Sequence, residues 1–296
     1  PSRSEVDPTL TLPPHLIEQA KQFLDGSKEP AKPRSASTVV LLREGDTQPG
    51  GLQSYMLRRH VGMEFAAGMS VFPGGGVDDR DSELDPALWA GPSPEEWAER
   101  MGCNADEAKE LICAAVRETF EESGVLLAGT TDSVVADTTG DDWEADRAAL
   151  EARELVFSDF LTRRGLVLRT DLLAVLGGWL TPIFEPKRYL TWFFVAALPE
   201  GQVTRDVSSE TDKVEWMAVR DAIKAGDAKE MLLLPPTYAT LCELFDARTP
   251  AEALEQVSAV PFEMIEPTFN PETGRLESND RIVELGIRVG KAVHAS

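Results

Sequence analysis

Arg117-Glu118-Thr119-Phe120-Glu121-Glu122-Ser123-Gly124 places three carboxylates and one guanidinium within six residues. Positions i, i+3 and i+4 share one face of an α-helix, so Glu118, Glu121 and Glu122 are expected to point the same way. Like charges at that spacing cost a helix about 0.2–0.5 kcal/mol per pair. A hard divalent cation would offset that cost, because such ions prefer carboxylate oxygens. Far upstream lies Phe72-Pro73-Gly74-Gly75-Gly76. Three consecutive glycines imply a backbone that bends sharply or comes very close to something.

These residues need a helix and a strand-and-turn framework to hold them. Asn104 and Glu107 form a helix-start pair, and the helix they open should run to about Ser123 and stop at Gly124. Ile112, Val116 and Phe120 would face a core, while the glutamates look into a cleft. Ser93-Pro94-Glu95-Glu96 predicts a short helix over Pro94–Met101, inside a polar segment, 79–103, that reads as an insertion. Strands are expected at 37–42, 52–59, 172–181, 189–198 and 213–219, and another from Gly124 to Ala128. Helices are expected at 14–24, 142–150, 154–165, 220–225, 236–247 and 250–257. The last forty residues look mixed and proline-broken, with a hairpin turn at Pro271–Gly274. Three parts follow: an N-terminal extension (1–36), a central domain (37–220) and a mainly helical C-terminal extension (221–296).

Composition sets broad limits. The 296 residues are 42% hydrophobic and carry a net charge of −22. So acidic a surface disfavours nucleic acid and anionic membranes. The sequence has no apolar run of membrane-spanning length and no leader pattern at its start. Cys103, Cys113 and Cys242 suggest reduced thiols and a cytoplasmic location, not a disulfide framework.

The second half of the motif resembles the Nudix box, Gly-x5-Glu-x7-Arg-Glu-U-x-Glu-Glu-x-Gly-U with U bulky and apolar. Arg117, Glu118, Glu121, Glu122, Gly124 and Val125 fill it in register. The Phe72–Gly75 lead-in is similar to that of coenzyme A diphosphatases. Arg117 stands 42 positions after Gly75, where the signature has 14, so roughly 28 residues are inserted. Counting back from Arg117 puts Lys109 at the first glutamate of the signature, and Thr119 replaces an apolar residue. An interrupted box resembles the branch that includes the mammalian peroxisomal coenzyme A diphosphatases. So do Trp179-Leu180-Thr181-Pro182 and Leu234-Pro235-Pro236-Thr237. Glu64 and Ala66 stand near places where bacterial coenzyme A enzymes carry Arg and His.

The resemblance implies an α/β (α+β) chain: a Nudix-type α/β/α sandwich with a mixed sheet and helical extensions at both ends. It implies hydrolysis of a nucleoside diphosphate linked to another moiety, with Mg2+ or Mn2+ as cofactor. Coenzyme A or an acyl-coenzyme A is the first expectation. ADP-ribose or a dinucleotide is the alternative substrate, and a catalytically silent binding module the alternative role. Glu118, Glu121, Glu122 and the Gly75 carbonyl would hold the metal, and Arg117 would brace the glutamates. Glu210, ahead of a late strand, is the candidate general base. Arg58, Arg59, Lys187, Arg188, Phe72 and Gly74 are candidate substrate contacts. Homodimers are common in the family.

Overall fold

The computed structural model describes residues 10–12, 14–63 and 66–295. Glu64 and the first nine residues of the expected extension lie outside them. Strands of the central sheet are β1 (Arg34–Arg43), β2 (Gln53–Arg59), β3 (Ser70–Val71), β4 (Gly74–Gly76), β5 (Leu173–Leu180), β6 (Tyr189–Ala197), β7 (Thr211–Ala218) and β8 (Met264–Ile265). Their order is β7-β2-β1-β6-β5-β8, with β3 paired to β2 and β4 to β1. The β1–β6 pair is parallel, from Arg34 opposite Tyr189 to Leu42 opposite Ala197. β5 and β6 are antiparallel, so the sheet is mixed.

Side chains alternate across a strand, and both faces of this sheet are buried. Val39, Leu41, Tyr55, Leu57, Trp192 and Phe194 join one core. It is covered by helices α2 (Pro94–Met101), α3 (Ala105–Ser123), α4 (Asp141–Glu151) and α5 (Phe157–Arg164). Val40, Leu42, Met56, Phe193 and Val195 join a second core on the other face. Helices α6 (Val219–Asp227), α7 (Pro235–Glu243), α8 (Pro250–Ala259) and α9 (Asp280–Ala295) cover it. The result is an α/β/α sandwich. Residues beyond 220 supply most of that second layer and also the edge strand β8.

The last forty residues are mixed, as expected: Thr268–Asn270 and Arg275–Glu277 pair around the turn at 271–274, and α9 buries Ile282, Val289 and Val293. One expectation is corrected here. The run from Val125 to Ala128 is buried, but only Ala128–Gly129 joins a ladder. Gln202 satisfies the backbone there instead, accepting from Leu126 N at 2.8 Å and donating to Leu126 O at 2.9 Å. The N-terminal helix α1 (Pro14–Leu24) packs through Leu16, Ile17 and Phe23 on Phe184, Phe269 and Leu276.

The inserted segment is part of the core. Trp97 and Met101 of α2 are fully buried. The indole of Trp192 donates to the Met101 carbonyl at 3.0 Å.

Candidate active site

Helix α3 carries the glutamates. Its start is fixed by a reciprocal cap: Asn104 Oδ1 accepts from Glu107 N at 2.9 Å, and Glu107 Oε2 accepts from Asn104 N at 3.2 Å. Gly124, in the left-handed conformation (φ 74°), ends it. Thr119 fits among apolar neighbours because its hydroxyl donates to the Ala115 carbonyl at 2.7 Å.

The glycine run meets this helix directly. Gly74, Gly75 and Gly76 pair with Thr38, Ser37 and Ala36 of β1, and α3 packs on β1 and β4. A Cβ on Gly75 would lie 2.4 Å from Glu118 Cδ, so a side chain there would push the Glu118 carboxylate out of its place. Gly74 N donates to Glu122 Oε2 at 2.8 Å. The two halves of the motif are thus adjacent in space despite the residues between them.

Arg117 is the hub. Its Nη1 donates to Glu118 Oε1 (2.8 Å) and Glu121 Oε1 (3.2 Å), and its Nη2 to the Gly76 carbonyl (3.1 Å). Nε and Nη2 also form a two-pronged pair with Asp81, both bonds at 2.9 Å. This corrects the placement of the supporting acid at Lys109. Asp81 stands six positions after Gly75, where the signature has its first glutamate, and the insertion lies after it. Counting forward from the glycine finds Asp81; counting back from the arginine does not.

The carboxylates are held in an environment that resists their charge. Burial pushes up Glu118, Glu121 and Glu122. Glu121 reaches about 7, from burial and then the neighbouring Glu118. Glu122 goes well above the ordinary value for the same two causes, opposed by the Gly74 N–H. Burial also works against Arg117, but Asp81, Glu118 and Glu121 outweigh it and raise its pKa. Three clustered carboxylates with raised pKa values are a hard-oxygen donor set that a divalent cation suits. Among the described residues, no three acidic, His or Cys side chains already converge as a finished cation site. Glu118 and Glu121 turn to Arg117, and Glu122 to Gly74.

The glutamates line a cleft of about 790 Å³. Phe72, Gly74, Gly75, Arg117, Arg59, Lys187 and Glu210 line it too. Arg59 pairs with Glu210 at 3.4 Å. Its Nε is buried and has no hydrogen-bond partner among the described residues, while the side chain as a whole lines the cleft. Trp179, Tyr189 and Phe193 add an aromatic wall. Two proposed contacts fall elsewhere. Arg58, one residue out of phase with Arg59 on β2, is exposed and does not line the cleft. Arg188 is buried and donates to the Thr181 and Ala31 carbonyls and to Glu266, tying chain segments together. Asp81 and Glu151 are the site residues that sequence reasoning missed. Glu151 lines the cleft from the end of α4, and no local pattern marks it.

Comparisons with known proteins agree with this geometry. The family model described as the NUDT19 Nudix domain matches residues 102–244. Putative nudix hydrolase 7 of Caenorhabditis elegans is 25% identical over 216 residues, covering 71% of this chain and 60% of that protein. The chain therefore spans less than two thirds of that relative. The acyl-coenzyme A diphosphatase NUDT19 of Homo sapiens is 26% identical over 254 residues, covering 71% of this chain and 68% of its own length. A crystal structure of a NUDIX hydrolase from Alicyclobacillus acidocaldarius superposes with a TM-score of 0.67 at 27% identity, over 78% of this chain and 99% of that one. With the box complete in space and the sandwich shared, the chain belongs to the Nudix hydrolase superfamily.

Proposed function

We propose that this protein is a metal-dependent diphosphatase that hydrolyses a nucleoside diphosphate linked to another moiety, with coenzyme A or an acyl-coenzyme A as first choice. The observation that carries this is the contact between Glu118, Glu122 and the Gly74–Gly75 backbone across the interrupted box. The coenzyme A preference rests on likeness to the human acyl-coenzyme A diphosphatase. ADP-ribose is the second substrate to try. A cytoplasmic location and a homodimer remain expectations that go with this reading.

In this reading Glu118, Glu121, Glu122 and the Gly75 carbonyl hold Mg2+ or Mn2+. The bound ion would neutralise diphosphate charge and make water a better nucleophile. Arg117 keeps the glutamates in place through its bonds to Glu118, Glu121 and Asp81. Arg59, which lines the cleft, brings a guanidinium charge to a phosphate. Glu210 accepts the proton of the attacking water, whose oxygen bonds to phosphorus as the bridging P–O bond breaks. Phe72, Trp179 and Phe193 supply apolar contact for the attached moiety. Lys187 at the rim adds positive charge for a phosphate.

Incubation with coenzyme A, an acyl-coenzyme A and ADP-ribose, with Mg2+, Mn2+ or chelator, tests this. Metal-dependent release of two phosphate-ended products is expected. Tight ligand binding with no cleavage under any metal condition would instead make the chain a silent binding module.

A further inference from the structure

The loop that carries Glu210 is gripped from two sides. On one side is the end of β2. Arg59 pairs with the Glu210 carboxylate, and His60 N donates to the Glu210 carbonyl at 2.9 Å. On the other side is α4. Glu151 Oε1 accepts from both Ser209 N (3.0 Å) and Ser209 Oγ (2.8 Å). Glu151 Oε2 accepts from Arg147 Nη1 at 2.9 Å, and the same Nη1 donates to the Glu121 carbonyl at 2.6 Å. Arg147 is only 4% exposed, and Glu144 holds its other edge through bonds of 2.8–3.1 Å. A continuous polar chain therefore runs from the glutamate helix, through Arg147 and Glu151, to the residue next to Glu210.

We infer that Glu151 is a positioning residue, which with Arg147 sets the Ser208–Glu210 loop at a fixed distance from the carboxylates of α3. The inference rests on the proposed role of Glu210 as proton acceptor. The physical reason is economy of geometry. Ser208, Ser209 and Glu210 lie on an irregular, half-exposed loop that has no ladder of its own before β7. A general base must sit within hydrogen-bond reach of the water it deprotonates. One carboxylate that takes both donors of Ser209 fixes the backbone beside Glu210. A charge-assisted bond to a buried arginine fixes that carboxylate in turn. Glu151 is held ionised there. Burial works against its charge, but the Ser209 and Arg147 bonds outweigh it and lower its pKa.

The test is a double-mutant cycle on the full chain with Mg2+, read as kcat and KM for the best substrate of the panel. Glu151→Gln is expected to lower kcat about 10–100-fold, the scale of a 1 Å misplacement, with KM nearly unchanged. In a Glu210→Gln background the same substitution should cost nothing further, because there is no base left to position. Amide hydrogen exchange of Ser209 should quicken in Glu151→Gln while the core amides of β1 and β6 keep their rates. Ser209→Ala, which removes only the hydroxyl contact, should give a smaller kcat loss and guards against a misfolded Glu151 variant. Wild-type kcat in a folded Glu151→Gln protein would overturn the inference. So would a loss that adds in full to that of Glu210→Gln. Full activity of Glu210→Gln alone would remove the proton-acceptor reading itself and is seen separately in the cycle.

Discussion

At the scale of single residues, the site depends on charges packed closer than water would allow. Asp81 is 2% exposed and binds Arg117 through two parallel bonds. Asp81→Asn keeps the shape but loses the charge-assisted pair, and should cost about 1.5–3 kcal/mol of stability. Urea unfolding checks this, and turnover should fall with it as Arg117 loosens. The glutamates predict a pH effect of definite sign. Their pKa values in the folded chain lie above those of the unfolded chain, with Glu121 at about 7. The folded state therefore binds more protons between the ordinary carboxyl range and about pH 7, and stability is lost as pH rises through that window. The metal-free protein should lose melting temperature from pH 5 to pH 8, and Glu122→Gln should lose less. Added Mg2+ or Mn2+ should raise the melting temperature more at pH 8 than at pH 5, since ion and proton compete for the same oxygens. An equal gain at both would count against these carboxylates as the ligands.

At the scale of elements, what was legible in the sequence was what is chemically local. The starts of α2 and α3 were marked by Ser93/Glu96 and Asn104/Glu107, which cap through neighbours three residues away. The glutamate face of α3 followed from helical spacing alone. What was hidden depended on partners distant in the chain. Helix α9 contains Gly286 and Gly290, which weaken helix propensity, and it forms because Ile282, Val289 and Val293 bury against the second core. Gly124 to Ala128 reads as a strand, but the backbone of Leu126 pairs with the side chain of Gln202. Arg58 and Arg188 could not be told from Arg59 and Lys187 by residue type. Strand phase and a distant carboxylate, Glu266, decide which of them meets the cleft. The insertion was visible as an interruption, but its role in the core was not. Trp97 is 1% exposed and meets Phe194 edge-on at 6.3 Å between ring centres. Trp97→Ala should therefore destabilise the fold by about 3–5 kcal/mol, seen as a lower urea midpoint with an unchanged slope. A loss near zero would mean the insertion is an appendage.

At the scale of the whole molecule, two cores lie on opposite faces of one mixed sheet, and a large cleft has the glutamate helix on one side and α7 on the other. The chain's net charge of −22 opposes a polyanionic substrate, so positive charge must be supplied locally. Arg117, Arg59 and Lys187 are sources at the cleft, and a divalent ion on the glutamates would be a larger one. In the proposed reading the interrupted box works as one metal-binding unit. The most direct test is steady-state cleavage of coenzyme A by wild type and Glu122→Gln, side by side, across a titration of Mg2+ and Mn2+. Metal-dependent cleavage by wild type is expected, with a fall of at least about 100-fold, roughly 2.7 kcal/mol in barrier, in a Glu122→Gln protein that remains folded. Equal turnover by the two proteins, or cleavage that persists in excess chelator, would contradict it.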